Sequence, residues 1–148
     1  MKEFTRRMLE NKGWTHDRSI DCSSNIAYLE ERGWRAFSSA IQFIKNYDNL
    51  GEFNGHILED FHTTVNPFTL NSRLGYSWRK EAEKVEEYTK VSLFPIGYQN
   101  LSCLFVSSDD SLYAIDAGVT FYRIGNTIDE SLDNLFEGKF IKESLTYL

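Results

Sequence analysis

The sequence predicts one domain of mixed helix and sheet, with helices first, then strands, then a closing helix. Three observations carry that reading. The chain has 148 residues, which suits a single domain holding a full core. Its first half places apolar residues at helical spacing, and its second half shows short apolar runs divided by polar turns. Its composition, 41% hydrophobic and 26% charged, is a globular balance that excludes whole-chain disorder, collagen and coiled coil.

A short helix is expected from Phe4 to Lys12, with Phe4, Met8 and Leu9 on one side. Gly13 ends it and Trp14 follows. Asp21 or Ser19 can cap a second helix that runs through Arg32 and carries Ile26, Tyr28 and Leu29, with Gly33 just past its end. Phe37, Ala40, Ile41 and Ile44 mark a third, from about Arg35 to Tyr47, ended by Asn49-Leu50-Gly51. From His56 to Asn66 the pattern changes. Ile57-Leu58 and Phe61 to Val65 read as short strands, and Asn66-Pro67 breaks the second.

Trp78, Ala82, Val85 and Tyr88 or Thr89 mark a fourth helix, about Ser77 to Lys90. Its other face carries Arg79, Lys80, Glu83, Lys84, Glu86 and Glu87, most simply a solvated surface. Val91 to Phe94 leads into Pro95-Ile96-Gly97. Leu101 to Val106 and Leu112 to Ile115 flank the polar turn Ser107-Ser108-Asp109-Asp110-Ser111, a hairpin signal. Ala117-Gly118 turns the chain into Val119 to Ile124. Thr127-Ile128-Asp129-Glu130 is a capping box opening a last helix that stops at Gly138. No internal repeat, low-complexity segment or linker suggests a second domain.

The motifs for chemistry are few. Gly-rich phosphate loops, dinucleotide fingerprints and a Gly-x-Ser-x-Gly elbow are absent from the sequence. His56, Asp60 and His62 lie close enough to be imagined as metal ligands, but their spacing fits no strong pattern, and surface histidines are the simpler reading. His16-Asp17 falls in a turn with no nucleophile indicated. Cys22 lies near a helix start, which can lower a thiol pKa, but a packed thiol is the simpler reading. Cys103 sits in an apolar strand and reads as core. Asp109-Asp110 alone falls short of a calcium loop. The aromatics (11 Phe, 8 Tyr, 3 Trp) fall mostly at core spacing and have no basic groove beside them.

Charge is more informative. The net charge is −6, which disfavours direct contact with nucleic acid and favours a basic protein partner. Residues 101–148 carry Arg123, Lys139 and Lys142 against Asp109, Asp110, Asp116, Asp129, Glu130, Asp133, Glu137 and Glu143. That is −5, against −1 for the other hundred residues. Asp129 and Glu130 also suit a helix start. Asp109 and Asp110 have no such local role and project from a turn. Asp129 and Asp133 are four apart on one helical face, and Asp116 precedes a tight turn. These five aspartates are the candidate partner-binding residues. Two cysteines are too few for a disulfide scaffold, and no apolar run approaches the ~20 residues that span a bilayer. The chain reads as cytoplasmic, away from membranes, with reduced thiols.

Gly13-Trp14 with Arg18, then a helix, resembles the opening of SUKH-type immunity proteins of the third group. Phe94-Pro95-Ile96-Gly97 followed by two strands, and Ile124-Gly125-Asn126-Thr127-Ile128-Asp129-Glu130-Ser131-Leu132, are similar to later segments of that family in the same order. Asp48-Asn49-Leu50-Gly51-Glu52 departs from it, where members often have a Gly-Gly pair with a Leu. The resemblance implies an α+β domain, a twisted, mainly antiparallel sheet with helices packed around it. It implies an immunity protein that binds and neutralises a cognate toxin, often a nuclease, by occluding it. No catalytic set, cofactor or metal is implied. A non-catalytic scaffold or regulatory module of the same superfamily is the alternative, and a small enzyme using His56 or His62 a third.

Overall fold

The computed structural model describes residues 1–59 and 62–148, and their side chains except those of 55–59, 62–66 and 142. Its helices are α1 (Glu3–Glu10), α2 (Ser23–Glu30), α3 (Ser38–Tyr47), α4 (Arg79–Thr89) and α5 (Ile128–Glu137). Its strands are β1 (Gly51–Glu59), β2 (His62–Leu70), β3 (Leu93–Gln99), β4 (Ser102–Ser107), β5 (Leu112–Asp116), β6 (Thr120–Arg123) and β7 (Thr146–Tyr147). The strands form one sheet in the order β1-β2-β3-β4-β5-β6-β7. Every neighbouring pair is antiparallel. This is the α+β architecture, with its antiparallel sheet, that the resemblance implied.

Helix ends follow local chemistry. Thr127 Oγ1 accepts from the Glu130 N–H at 3.0 Å, so the capping residue starts α5 where the sequence placed it. Gly138, in left-handed conformation at φ 73°, stops α5. Arg18 donates to the Asn46 and Asp48 carbonyls at 3.0 and 2.7 Å, so a cation closes the C-terminal end of α3. The turn that departs from the family pattern is left-handed at Asn49, φ 60°, and at Gly51, φ 89°. Asparagine is among the few side chains that tolerate that region, so it can stand in for a glycine.

Two strands differ from expectation. Both are longer, and β2 runs through Asn66-Pro67 to Leu70. The β2–β3 pairing begins at Phe68 opposite Gln99, so Pro67 lies just beyond it, where one side of β2 has no partner strand. Gly55 to Asn66 pair in a ribbon with each other alone, among the described residues. Strand β7 was not foreseen. Asp60 and Phe61 lie outside the described residues.

The core sits on both sheet faces. Successive strand residues point to opposite faces, and Cys103, Leu104, Phe105 and Val106 in β4 are all buried. Trp34 packs against Phe94 and Phe105 at centroid distances of 6.4 and 5.8 Å. Phe136 of α5 meets Phe53 and Phe68 of the first hairpin edge-on, at 5.3 and 5.0 Å. Gly97 ends the Phe-Pro-Ile-Gly motif because any Cβ there would stand 1.9 Å from the Thr69 carbonyl oxygen. Gly125 is also close-packed, since a Cβ there would stand 2.7 Å from the Ser131 nitrogen. No described helix is long and apolar enough to cross a membrane.

Candidate functional site

The five aspartates have four different fates. Asp133 is 8% exposed. Its Oδ1 accepts from Thr5 Oγ1 at 2.6 Å and from the Lys2 N–H at 2.9 Å, so it ties the N-terminal segment to α5. Helical spacing placed it beside Asp129 on a partner-facing stripe. The structure turns it inward instead, because Thr5 and Lys2 supply donors that a buried carboxylate needs. Asp116 is a turn acid. Its Oδ1 accepts from the Gly118 and Thr120 N–H groups at 3.1 and 3.0 Å.

Asp109 is half engaged. It accepts from Ser107 Oγ, and Arg123 lies 3.0 Å away in an ion pair. Asp110 and Asp129 are exposed. Asp110 has a left-handed backbone, φ 61°, and its N–H is bonded to the Ser107 carbonyl. The Asp129 side chain is 60% exposed, with the Met1 amine 3.4 Å from its Oδ2. These two residues, nineteen positions apart in the chain, line one groove of about 250 Å³ with the outer face of α3. Ser39, Gln42 and Asn46 give that face a polar character, and none of the lining residues is Lys or Arg.

Phe43 and Tyr47 complete the floor. Tyr47 lies parallel to Trp14, with ring centroids 6.0 Å apart, and 4.8 Å from Phe43. Burial, helped by the Asp129 carboxylate, pushes the Tyr47 hydroxyl up to about 12. The signal that could have found this floor was present in the sequence: Phe43 and Tyr47 are four apart, on the face of α3 that Phe37 and Ile44 do not complete.

A larger concavity, about 980 Å³, lies between α4 and the segment joining α2 to α3. The mixed-charge face of α4 lines it and is only partly solvated. Arg79 and Glu86 pair there, with Arg79 4.6 Å over the Trp34 ring and Glu86 Oε2 accepting from the Leu93 N–H at 2.8 Å. Those charges hold α4 to β3.

No arrangement for catalysis stands out among the described residues. His16 is exposed, and Asp17 accepts from Thr15 Oγ1 at 2.9 Å. Cys22 is buried, and burial pushes the Cys103 thiol well up. The described residues contain no group of three His, Cys, Asp or Glu able to hold a metal. Asp60 lies outside them, as do the side chains of His56 and His62.

The model of the SUKH-3 immunity protein family matches residues 1–138. No curated protein matches the chain, and no solved structure does.

Proposed function

The chain belongs to the SUKH-3 immunity protein family, and from that premise we propose that it neutralises a basic toxin by docking over it with its acidic C-terminal third. Membership of an immunity family implies a cognate toxin partner and a generally non-catalytic role. The finer reading rests on one observation: the β4–β5 turn and the start of α5 bring Asp110 and Asp129 to a single groove that no Lys or Arg side chain lines.

A nuclease domain is the toxin type that suits this surface best. Its active site receives phosphates and so carries positive charge. An acidic face attracts such a site, raises the association rate and discourages wrong partners. Occlusion then needs no chemistry from the immunity protein. Asp110 and Asp129 are the main contributors, with Asp109 at the rim, already shared with Arg123. Asp116 and Asp133 act from within, by holding a turn and the N-terminal segment. The site of action is the cytoplasm of the producing cell.

Capture on the immobilised chain from its native cells, with the partner identified by mass, tests this reading. The expected partner is a protein whose toxic activity stops when the purified chain is added. A captured partner that is not toxic, or a toxin that stays fully active when bound, overturns it.

A further inference from the structure

We propose that the outer edge of β6 is a docking site for an extended segment of a protein partner, and that residues 139–148 are a detachable strap filling that edge until the partner takes it. This goes beyond the immunity reading and does not rest on it. Alternate residues of a strand turn their N–H and C=O groups to opposite sides. Tyr122 and Ile124 turn toward β5, where the Ile124 N–H donates to the Leu112 carbonyl at 2.8 Å. Val119, Phe121 and Arg123 turn the other way, and the strap meets all three. The Leu148 N–H donates to the Val119 carbonyl at 3.2 Å, and Thr146 pairs with Phe121. Ser144 Oγ accepts from the Arg123 N–H at 2.9 Å and lies 3.1 Å from the Arg123 carbonyl oxygen. An uncovered edge of this kind is a template for another strand, and here the chain supplies that strand itself.

The strap is lightly held. Its strand, β7, has two residues. Leu145, Tyr147 and Leu148 stay exposed, Tyr147 by 75%, so pairing buries little apolar surface. Phe140 meets Tyr122 at 4.6 Å between ring centroids but is itself exposed. The left-handed Gly138 gives the strap a pivot where α5 ends, and the residues matched by the family model end at that same position. Segments with few buried apolar contacts open locally while the rest of the domain stays folded. The strap also shows what fits the edge. Ser144 and Thr146 are half-buried and Leu145 and Tyr147 are exposed. The site therefore takes small hydroxyl side chains at alternate positions and leaves the positions between them to large apolar ones.

Hydrogen exchange on the full wild-type chain reads the strap directly. The amides of Phe121 and Arg123 should exchange at least about tenfold faster than those of Tyr122 and Ile124 beside them. Equal exchange means that the strap opens only with the whole fold, and overturns the proposal. Ser144→Ala with Thr146→Pro removes two of the three contacts to the edge. This double variant should still melt cooperatively while Phe121 and Arg123 lose protection. Ser144→Ala alone serves where the double variant does not melt cooperatively.

A capped peptide with the sequence of residues 139–148 should restore that protection saturably. It should bind the folded variant several-fold more tightly than the wild type, whose own strap competes. The same peptide with proline in place of its threonine should not bind. Failure of the peptide to protect the folded variant, equal binding to the wild type, or equal binding of the proline peptide overturns the proposal, and each would leave the strap a fixed part of the fold.

Discussion

Two concavities of this molecule, one beside α4 and one beside α3, both carry charge, and they use it in opposite ways. In the cleft beside α4 the opposing charges of Arg79 and Glu86 meet each other, and Glu86 also holds the Leu93 N–H. In the smaller groove beside α3, Asp110 and Asp129 face solvent without a Lys or Arg in the lining. Volume therefore does not rank the two. A charge satisfied within the chain builds the fold, and a charge left facing outward is available to a partner. The same division runs through α5 itself, where Asp133 is enclosed and Asp129, one turn earlier, is open.

Substitutions can break this contrast, starting with the enclosed carboxylates. Asp133→Ala leaves the Thr5 hydroxyl and the Lys2 N–H without their acceptor. It should cost on the order of 3 kcal/mol in chemical denaturation, because bonds to a buried carboxylate are among the stronger ones. Asp129→Ala should change stability by less than about 0.5 kcal/mol, as surface positions usually do. Equal effects from the two would dissolve the distinction. Glu86→Ala should cost about 1–2 kcal/mol, for the lost Leu93 bond and a partly exposed ion pair. Thr127→Ala should cost about 1 kcal/mol by removing the cap of α5, and an unchanged denaturation midpoint would count against that cap.

A smaller effect lies at alkaline pH. The Tyr47 hydroxyl titrates near 12 in the fold, against an ordinary value of 10.0. The raised folded value means that this residue's contribution to stability is complete below about pH 10 and fades as pH rises toward 12. Burial also raises Tyr113 and Tyr122, so an absorbance titration of the wild type should show several late tyrosinates, with one fewer in Tyr47→Phe. An identical curve for both proteins would remove Tyr47 from the groove's electrostatics.

Much of the fold was legible because its signals are local. Gly138 and Thr127 bound α5 through contacts made within a few residues, and the Ser107–Ser111 turn joins β4 to β5 as its polar run suggested. The length of β2 was not legible. Pro67 forbids one N–H bond but does not end a strand whose other side, away from β1, has no partner strand there, and only the sheet register reveals that. The acidic C-terminal third was visible as a charge count, but the roles of individual aspartates were not. Asp133 is buried by Thr5 and Lys2, 128 and 131 positions away, and no spacing rule reaches that far. Tyr47 was missed as a groove residue because its position in α3 also fits ordinary core packing.

The most direct test of the central claim is the association rate between the captured toxin and the double variant Asp110→Asn with Asp129→Asn, measured at two salt concentrations. Asparagine tolerates the left-handed backbone at position 110, so the fold should be retained and checked by an unchanged melting curve. The account predicts slower association than wild type, with the gap widening at low salt, where charges are less screened. Wild-type rates at both salt concentrations would contradict it and remove this groove from the interface.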